Sequence, residues 1–428
     1  MTKRIAIVGG VRTPYAKAGS AFADISAVDL GRLAVMELMA RTGIAAENVD
    51  SVVIGNVAQP MDAVNIARVI ALFSGLPEKV PAFTVHRNCA SGMQAIVSAA
   101  QSIATGEAEI VVAGGVESMS NIPFFLSKKF HDIAVNYLHS RSLKNRAASL
   151  LKLRPKDFVP KVGLIQGLTD PTCGLNMGQT AEVLARELKI SRRAQDELAL
   201  LSHKRAVQAR EKGLFKDEVM TILVPPDYKN AIDFDNGVRD DEDMELLARL
   251  RPFFDRRYGT VTAGNSSQIT DGGAALLLAS EEAVEKQKLE PLGYIRPHAF
   301  AGLSPKRMGL GPSYATSLVL DKAGLEMNDI GLIEMNEAFA AQIIANEIVF
   351  ADDKHAEHYL GRKALGAIDR EIMNVNGGAI AMGHPVGSTG TRMVLTLLLE
   401  MQRRKVDKGL ATLCIGGGQG AAMILERN

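Results

Sequence analysis

The chain has 428 residues, too many for one ordinary hydrophobic core and enough for two or three domains. Apolar residues make up 47% and charged residues 23%, as in soluble globular proteins, and 49 Lys plus Arg against 48 Asp plus Glu leave a net charge of +1. That balance gives no support for a nucleic-acid or membrane role, and the longest apolar runs, such as the one around Leu276, Leu277 and Leu278, are far too short for a transmembrane segment.

The amino terminus sets Met1-Thr2-Lys3-Arg4 before Ile5-Ala6-Ile7-Val8 and is broken at once by Gly9 and Gly10. It therefore reads as a buried strand over 4–8 and not as a signal peptide. Further strands are predicted at 51–55, 82–86 and 109–114, with helices at 27–42, 63–74 and 90–106 between them, the rhythm of a layered α/β protein. The segment 120–250 breaks this rhythm. It carries a basic stretch (Lys128, Lys129, Arg141, Lys144, Arg146, Lys152) and then a long charged helix over 191–213, opened by the cap Ser191. A solvated helix face and a docking surface are equal readings of the basic stretch.

The last third resumes with strands at 293–299, 330–335, 409–415 and 420–426 and helices near 314–323, 338–350 and 387–404. Gly324-Leu325 before Ile330 echoes Gly43-Ile44 before Val49, and Leu413-Cys414-Ile415-Gly416-Gly417 echoes Val111-Val112-Ala113-Gly114-Gly115, so two similar halves are expected. The tail Leu425-Glu426-Arg427-Asn428 has no peroxisomal or retention signal. Three widely spaced cysteines (Cys89, Cys173 and Cys414) do not make a disulfide framework, and a cytoplasmic location is expected.

Four motifs carry chemistry. Arg87-Asn88-Cys89-Ala90-Ser91-Gly92-Met93 sets a cysteine between a strand and a helix, where free amides and the helix dipole are expected to lower the thiol pKa; the alternative is a small buried apolar residue. Gly383-His384-Pro385-Val386-Gly387 crowds glycines around a histidine, as happens where backbone passes close to a ligand or another chain; His384 is either a proton acceptor or a turn-closing residue. Cys414-Ile415-Gly416-Gly417-Gly418-Gln419-Gly420 is followed by a strand, which excludes a dinucleotide loop and leaves bare amides beside a thiol. Asn336-Glu337-Ala338-Phe339 follows a strand and reads as a helix cap or as a holder of water or carbonyl. There is no Walker loop, zinc-type cysteine pairing or serine nucleophile elbow.

In this order, from Arg12-Thr13-Pro14 to the last strand, the blocks around Cys89, Gly114-Gly115-Val116-Glu117-Ser118, Asn336, His384 and Cys414 resemble the thiolase family. The resemblance implies an α/β fold of duplicated βαβαβαββ halves in five layers with an inserted loop domain. Its expected division is 1–119 plus 251–290, 120–250, and 291–428. It implies that Cys89 is acylated, that His384 activates the thiol and, with a water held by Asn336, stabilises an enolate oxygen, and that Cys414 is the acid/base. The amides of Cys89 and Gly416 would form a second oxyanion hole. Ser267, Phe254, Met308, Ala338, Phe339 and Met177 match positions along a pantetheine tunnel, and Arg239 matches an adenine-side arginine.

No permanently bound cofactor is implied, only coenzyme A as co-substrate with 3-ketoacyl-CoA or acetyl-CoA, in a homodimer or tetramer with a possible hydratase/dehydrogenase partner subunit. Asn176-Met177-Gly178 stands where biosynthetic acetoacetyl-CoA thiolases commonly have His-Met-Gly, and the extra length falls in 120–165 and 350–371. Ser127-Lys128-Lys129-Phe130 and Leu250-Arg251-Pro252 look like the thiolase subunit of fatty-acid oxidation complexes, although that subunit often has histidine where this chain has Asn336. A degradative 3-ketoacyl-CoA thiolase is therefore expected, with a biosynthetic acetyl-CoA acetyltransferase and a non-catalytic lipid carrier as the alternatives.

Overall fold

Alternating apolar strands and helical stretches build the first part of the chain as β1 (Ile5–Arg12), β2 (Ala16–Lys17), α1 (Ala27–Thr42), β3 (Ser51–Gly55), α2 (Ile66–Phe73), β4 (Ala82–Val85), α3 (Ser91–Ala104) and β5 (Ile110–Ser118). The computed structural model describes residues 4–427; the Met1-Thr2-Lys3 lead and Asn428 of the tail lie outside them. Beyond β5 the chain leaves the main sheet for β6 (Phe124–Phe125), α4 (Lys128–His139), α5 (Leu143–Leu150), β7 (Lys161–Val162), α6 (Gly163–Gly167), α7 (Met177–Glu187), α8 (Arg192–Glu211), β8 (Ile222–Val224), β9 (Asn230–Ile232) and α9 (Met244–Arg249). Ser191 caps α8 as expected, its hydroxyl accepting the Ala194 amide at 3.1 Å.

The chain re-enters the sheet as β10 (Thr270–Ser280), followed by α10 (Glu281–Gln287), β11 (Gly293–Gly302), α11 (Gly311–Ala323), β12 (Leu332–Met335), α12 (Ala340–Ala351), α13 (Asp353–Leu360), α14 (Ala379–Met382), α15 (Val386–Arg404), β13 (Lys408–Ile415) and β14 (Gln419–Glu426). The sheet order is β12-β13-β14-β11-β1-β10-β5-β3-β4. Its midpoint is thin: β1 and β11 pair only at Ile5–Ile295, Ala6–Tyr294 and Ile7–Gly293. Two sheets thus meet edge to edge, and the chain duplicates its local structure across the joint. α1 ends on Gly43 at φ 65° and α11 ends on Gly324 at φ 64°, each followed by a 3-10 turn and a strand. Glycine takes this left-handed cap without a Cβ clash.

Three apolar clusters fix the layers. Outside the first half, α1 and α2 pack on one face of β3, β5 and β10. Outside the second half, α11 and α12 pack on β12, β13 and β14. Between the sheets, α3 and α15 lie against each other in one core with Val53, Val111, Leu276, Leu413 and Met423. The result is five layers, helix–sheet–helix–sheet–helix, with both central helices beginning at the same end.

One long strand of the main sheet was not legible, besides the short β2, β6, β7, β8 and β9. β10, Thr270-Asp-Gly-Gly-Ala-Ala-Leu-Leu-Leu-Ala-Ser280, is buried along its whole length and pairs with both β1 and β5. A strand covered on both faces shows no alternation, and a composition of Gly, Ala and Leu has little β preference.

Candidate active site

The loop from β4 to α3 is tied internally: the Arg87 amide donates to Ser91 Oγ (2.9 Å), which donates to the Asn88 carbonyl (2.7 Å). Asn88 sits at φ 43°, in the left-handed region. Cys89 follows. Opposite lies the β13–β14 turn, joined to this loop by Asn88 Nδ2 donating to the Gly416 carbonyl (2.7 Å) and Arg87 Nη1 donating to Gln419 Oε1 (3.2 Å). The amides of Gly416 and of Cys89 itself donate toward the Cys89 sulfur.

The expectation of a lowered thiol pKa is corrected here. Burial pushes the Cys89 thiol up and outweighs the two amides, with the charge of Glu117 adding to the rise. A donor pair and a helix terminus favour the thiolate, but loss of hydration disfavours it more. Cys414, fully buried at the end of β13, is pushed up further by burial and by the nearby Cys89.

His384 sits just before α15. Gly383 turns the chain at φ 108°, where a Cβ would lie 2.3 Å from Thr270 Cγ2, so this position requires glycine. The imidazole Nδ1 lies 2.6 Å from Thr389 Oγ1, and that hydroxyl donates to the Pro385 carbonyl at 3.1 Å. With the hydroxyl proton given to Pro385, Nδ1 carries the ring proton and Nε2 presents a lone pair, the tautomer used below. Asn336 Nδ2 faces that lone pair at 3.5 Å, while Asn336 Oδ1 is buried without a partner among the described residues. Burial, with Arg392 adding, holds the His384 pKa down to about 3, so the ring is neutral. Asn336 is not a helix cap, because α12 starts after Phe339 with no side-chain cap.

The glycines around His384 meet another part of the same chain. A Cβ at Gly92 would stand 2.8 Å from the Gly387 carbonyl oxygen, one at Gly115 would stand 2.0 Å from that atom, and one at Gly390 would stand 2.5 Å from the Met93 amide nitrogen. Bare backbone at these points lets α3 and α15, which follow Cys89 and His384, touch. Glu117 closes the contact from below. Its buried carboxylate accepts the Val57 (3.1 Å), Ala58 (2.9 Å) and Gly387 (3.0 Å) amides and Asn56 Nδ2 (3.1 Å), and burial pushes its pKa up to about 7. Sequence reasoning gave Glu117 no role; the available signal was a lone carboxylate inside an apolar strand. Thr389, whose hydroxyl contacts the His384 ring at Nδ1, was also missed.

A cavity of about 500 Å³ opens at Cys89 and Gly416 and runs under the inserted segment, walled by Met119, Ile122, Phe125, Leu164, Leu168 and Met177. Of the residues expected to hold coenzyme A, Met177 alone lines it. Ser267, Ala338, Phe339 and Phe254 gather elsewhere: the Ser267 amide donates to the Ala338 carbonyl (2.9 Å), and the Phe254 and Phe339 rings meet edge-on at 5.9 Å. Met308 is buried in the same core, whereas Arg239 stands apart, paired with Glu242 at 2.5 Å. Cys173 sits in a turn held by Asp170, whose carboxylate accepts its amide at 3.2 Å, and is half-buried.

The starts of the helices that follow Cys89 and His384 meet where the two duplicated halves touch, Cys414 lies near Cys89, and thiols and an imidazole are residue types that acyl transfer uses. The family model for the thiolase N-terminal domain matches residues 5–282 and that for the thiolase C-terminal domain matches residues 289–427, and the chain belongs to the thiolase family. It is 47% identical over 425 residues to a 3-ketoacyl-CoA thiolase of Pectobacterium carotovorum, covering 99% of this chain and 96% of that one. A 3-ketoacyl-CoA thiolase of Yersinia enterocolitica is 46% identical, with 99% and 97% covered. Among solved structures, the acetyl-CoA acetyltransferase of Bacillus anthracis superimposes with a TM-score of 0.87 at 37% identity, covering 100% and 99%. Human mitochondrial 3-ketoacyl-CoA thiolase in complex with CoA does so with a TM-score of 0.85 at 36% identity, covering 100% and 98%. No helix among the described residues is long and apolar enough to cross a membrane.

Proposed function

We propose that this chain is a 3-ketoacyl-CoA thiolase of the degradative kind, an acyltransferase with coenzyme A as co-substrate and no permanently bound cofactor. The observation that carries the degradative reading is the mostly apolar cavity of about 500 Å³ at Cys89, which gives the acyl chain a place to lie. In this reading Cys89 attacks the 3-keto carbon of the substrate. His384 Nε2 takes the thiol proton, and the alkoxide forms against the amides of Cys89 and Gly416. The C2–C3 bond then breaks, and the electron pair leaves as the enolate of acetyl-CoA, held by His384 and by the water that Asn336 binds.

Cys414 delivers its proton to C2, and the thioester at Cys89 remains. An incoming coenzyme A thiol gives its proton to the Cys414 thiolate and its sulfur takes the acyl group; His384 returns its proton to Cys89. Each oxyanion donor in sites of this kind is worth about 3–4 kcal/mol. Ser267, Phe254, Met308, Ala338, Phe339 and Met177 are proposed to line the pantetheine path, with Arg239 at its outer end.

Subunit association is proposed at the edge strand β4. It ends the sheet, and Phe83 on it and Phe73 on the adjoining α2 are exposed. An unpaired apolar edge invites a second copy, and light scattering at the monomer mass would exclude it. The basic, partly apolar surface of α4 and α5, with Leu138 and Leu143 exposed, is proposed to take the hydratase/dehydrogenase partner; an excess of that subunit that fails to co-sediment would rule this out.

The deciding experiment for the activity is thiolysis of a 3-ketoacyl-CoA series from acetoacetyl to 3-ketohexadecanoyl. Preference for longer members is expected. Activity confined to acetoacetyl-CoA would move the assignment to acetyl-CoA acetyltransferase, and no activity on any member would leave a carrier. Cys89→Ala should fold and be inactive.

A further inference from the structure

Asn88, the residue before the proposed nucleophile, has no part in the scheme above, yet three observations meet at it. Its backbone is left-handed at φ 43°. Asparagine is one of the few residues with a side chain that enters this region readily, usually because its amide bonds to local backbone. Here the amide instead crosses to the second half of the chain and donates to the Gly416 carbonyl at 2.7 Å, between residues 328 apart in sequence. The third observation is that the amide of that same Gly416 donates toward the Cys89 sulfur.

The turn that Asn88 holds has little stiffness of its own. Gly417 and Gly418 sit at φ 89° and 77°, so the three glycines from Gly416 to Gly418 have no side chain to fix their peptide planes. A Cβ built at Gly416 or Gly417 would have Asn88 Nδ2 at 3.9 or 3.8 Å, so the side chain lies along the turn without filling it. Beyond it, the Leu303 amide donates to the Gly418 carbonyl (2.8 Å) and Arg87 reaches Gln419 (3.2 Å). Those contacts fix the far end of the turn, and the bond from Asn88 fixes the end beside the sulfur.

We propose that Asn88 is a positioning residue that sets the Gly416 amide on Cys89, so that the oxyanion donor pair is assembled by a link between the two halves of the chain. The inference rests on the acyl-enzyme reading above. It makes the donor pair depend on a side chain of the opposite half and not on the glycine turn alone.

The test uses the full chain with Asn88→Gly, which keeps the left-handed backbone and removes the donor. A second variant, Asn88→Asp, keeps the shape and turns a carboxylate against the Gly416 carbonyl. Three quantities are compared with wild type: kcat and KM for thiolysis, the pH profile of iodoacetamide alkylation at Cys89 followed by mass spectrometry, and the thermal midpoint. Misplacing one oxyanion donor should lower kcat by about 10²-fold, approaching 10³-fold for full loss, with KM for coenzyme A near wild type. The alkylation profile should move to higher pH, because the thiolate loses an amide donor, and Asn88→Asp should show the larger effect.

A folded variant with wild-type kcat and an unmoved profile overturns the proposal. A lower kcat with an unmoved profile and a lower thermal midpoint also overturns it, because only a structural role behaves so. A Cys89→Ala variant that turns over as fast as wild type would instead remove the acyl-enzyme reading, whatever Asn88 does.

Discussion

The backbone contact between α3 and α15 makes a quantitative prediction for Gly92→Ala. The new Cβ would stand 2.5 Å from Thr391 Oγ1 and 2.8 Å from both the Gly387 carbonyl oxygen and the Thr391 amide nitrogen. The hydroxyl can rotate away, but the two backbone atoms cannot. Ordinary contact starts at 3.4 Å, so α15 must retreat by about 0.6 Å or α3 must bend, and overpacking of this kind costs about 1–3 kcal/mol. Better helix propensity offsets under about 1 kcal/mol of that, and less at a position in the first turn.

His384 lies two residues before α15 and moves with it. Since a displacement near 1 Å can cost about 10²-fold in rate, a shift of about 0.6 Å should lower kcat roughly tenfold. Urea unfolding and steady-state thiolysis of purified protein measure both numbers. Gly302→Ala, at a site with nothing within 4 Å of the added carbon, is the control that should leave both unchanged. Gly92→Ala with wild-type stability and wild-type kcat would refute the claim that this contact sets the distance between the two helices.

Other perturbations follow from the same geometry. His384 is held neutral to about pH 3 in the folded chain but takes a proton near 6.5 when unfolded, so its contribution of up to about 5 kcal/mol is present above 6.5 and is lost as pH falls toward 3. Glu117, pushed up to about 7, acts with the opposite sign: its contribution of up to about 3 kcal/mol is present below the unfolded value of 4.5 and is lost as pH rises to 7. Urea midpoints of His384→Asn should therefore gain on wild type as pH falls, and those of Glu117→Gln as pH rises; differences that do not vary with pH would contradict both. Arg392→Met leaves the Glu334 carboxylate, 2.6 Å away, buried without its cation and should cost about 3–5 kcal/mol in urea unfolding; a loss under about 1 kcal/mol would mean the pair contributes little. Leu164→Ala opens the cavity wall and should raise KM for long-chain substrates while sparing acetoacetyl-CoA, and an equal effect on both would place the acyl chain elsewhere.

Much of the scaffold could be read from residue order because local signals agreed. Gly43 and Gly324 mark true left-handed caps, Ser191 caps α8, and the strand after Gly418 begins at Gln419. Elements with a period or a cap were legible; β10 was not, because a doubly covered strand has neither. The site divided in the same way. Cys89, His384 and Cys414 stand beside glycine turns that no ordinary core requires. Glu117 acts through partners brought in by folding: Gly387 is 270 residues from it in sequence, and no spacing rule spans that. Thr389 is only five residues from His384, but their contact depends on the turn at Pro385, which residue order does not show. The direction of the Cys89 shift was misjudged for a related reason. A helix terminus is visible in sequence, but the depth of its burial is not.

That burial bears on how the site works. With the Cys89 thiol pushed up by desolvation and the His384 imidazole held neutral by burial, both groups favour their uncharged forms, which disfavours a resting thiolate–imidazolium pair. The thiol therefore rests protonated, and the donors facing it, the amides of Cys89 and Gly416, have only a weak acceptor. On the proposed mechanism, negative charge appears in this pocket only when the thiol proton moves to His384 as the sulfur adds to a carbonyl. The charge then settles on an oxygen, a far better acceptor for those two amides than sulfur. The same dehydration that opposes a free thiolate strengthens the amide bonds to that oxygen, because their competition with water is gone. A site with a permanently lowered thiol pKa would give up part of this difference, since donors already satisfied by a thiolate gain less from the oxyanion that replaces it.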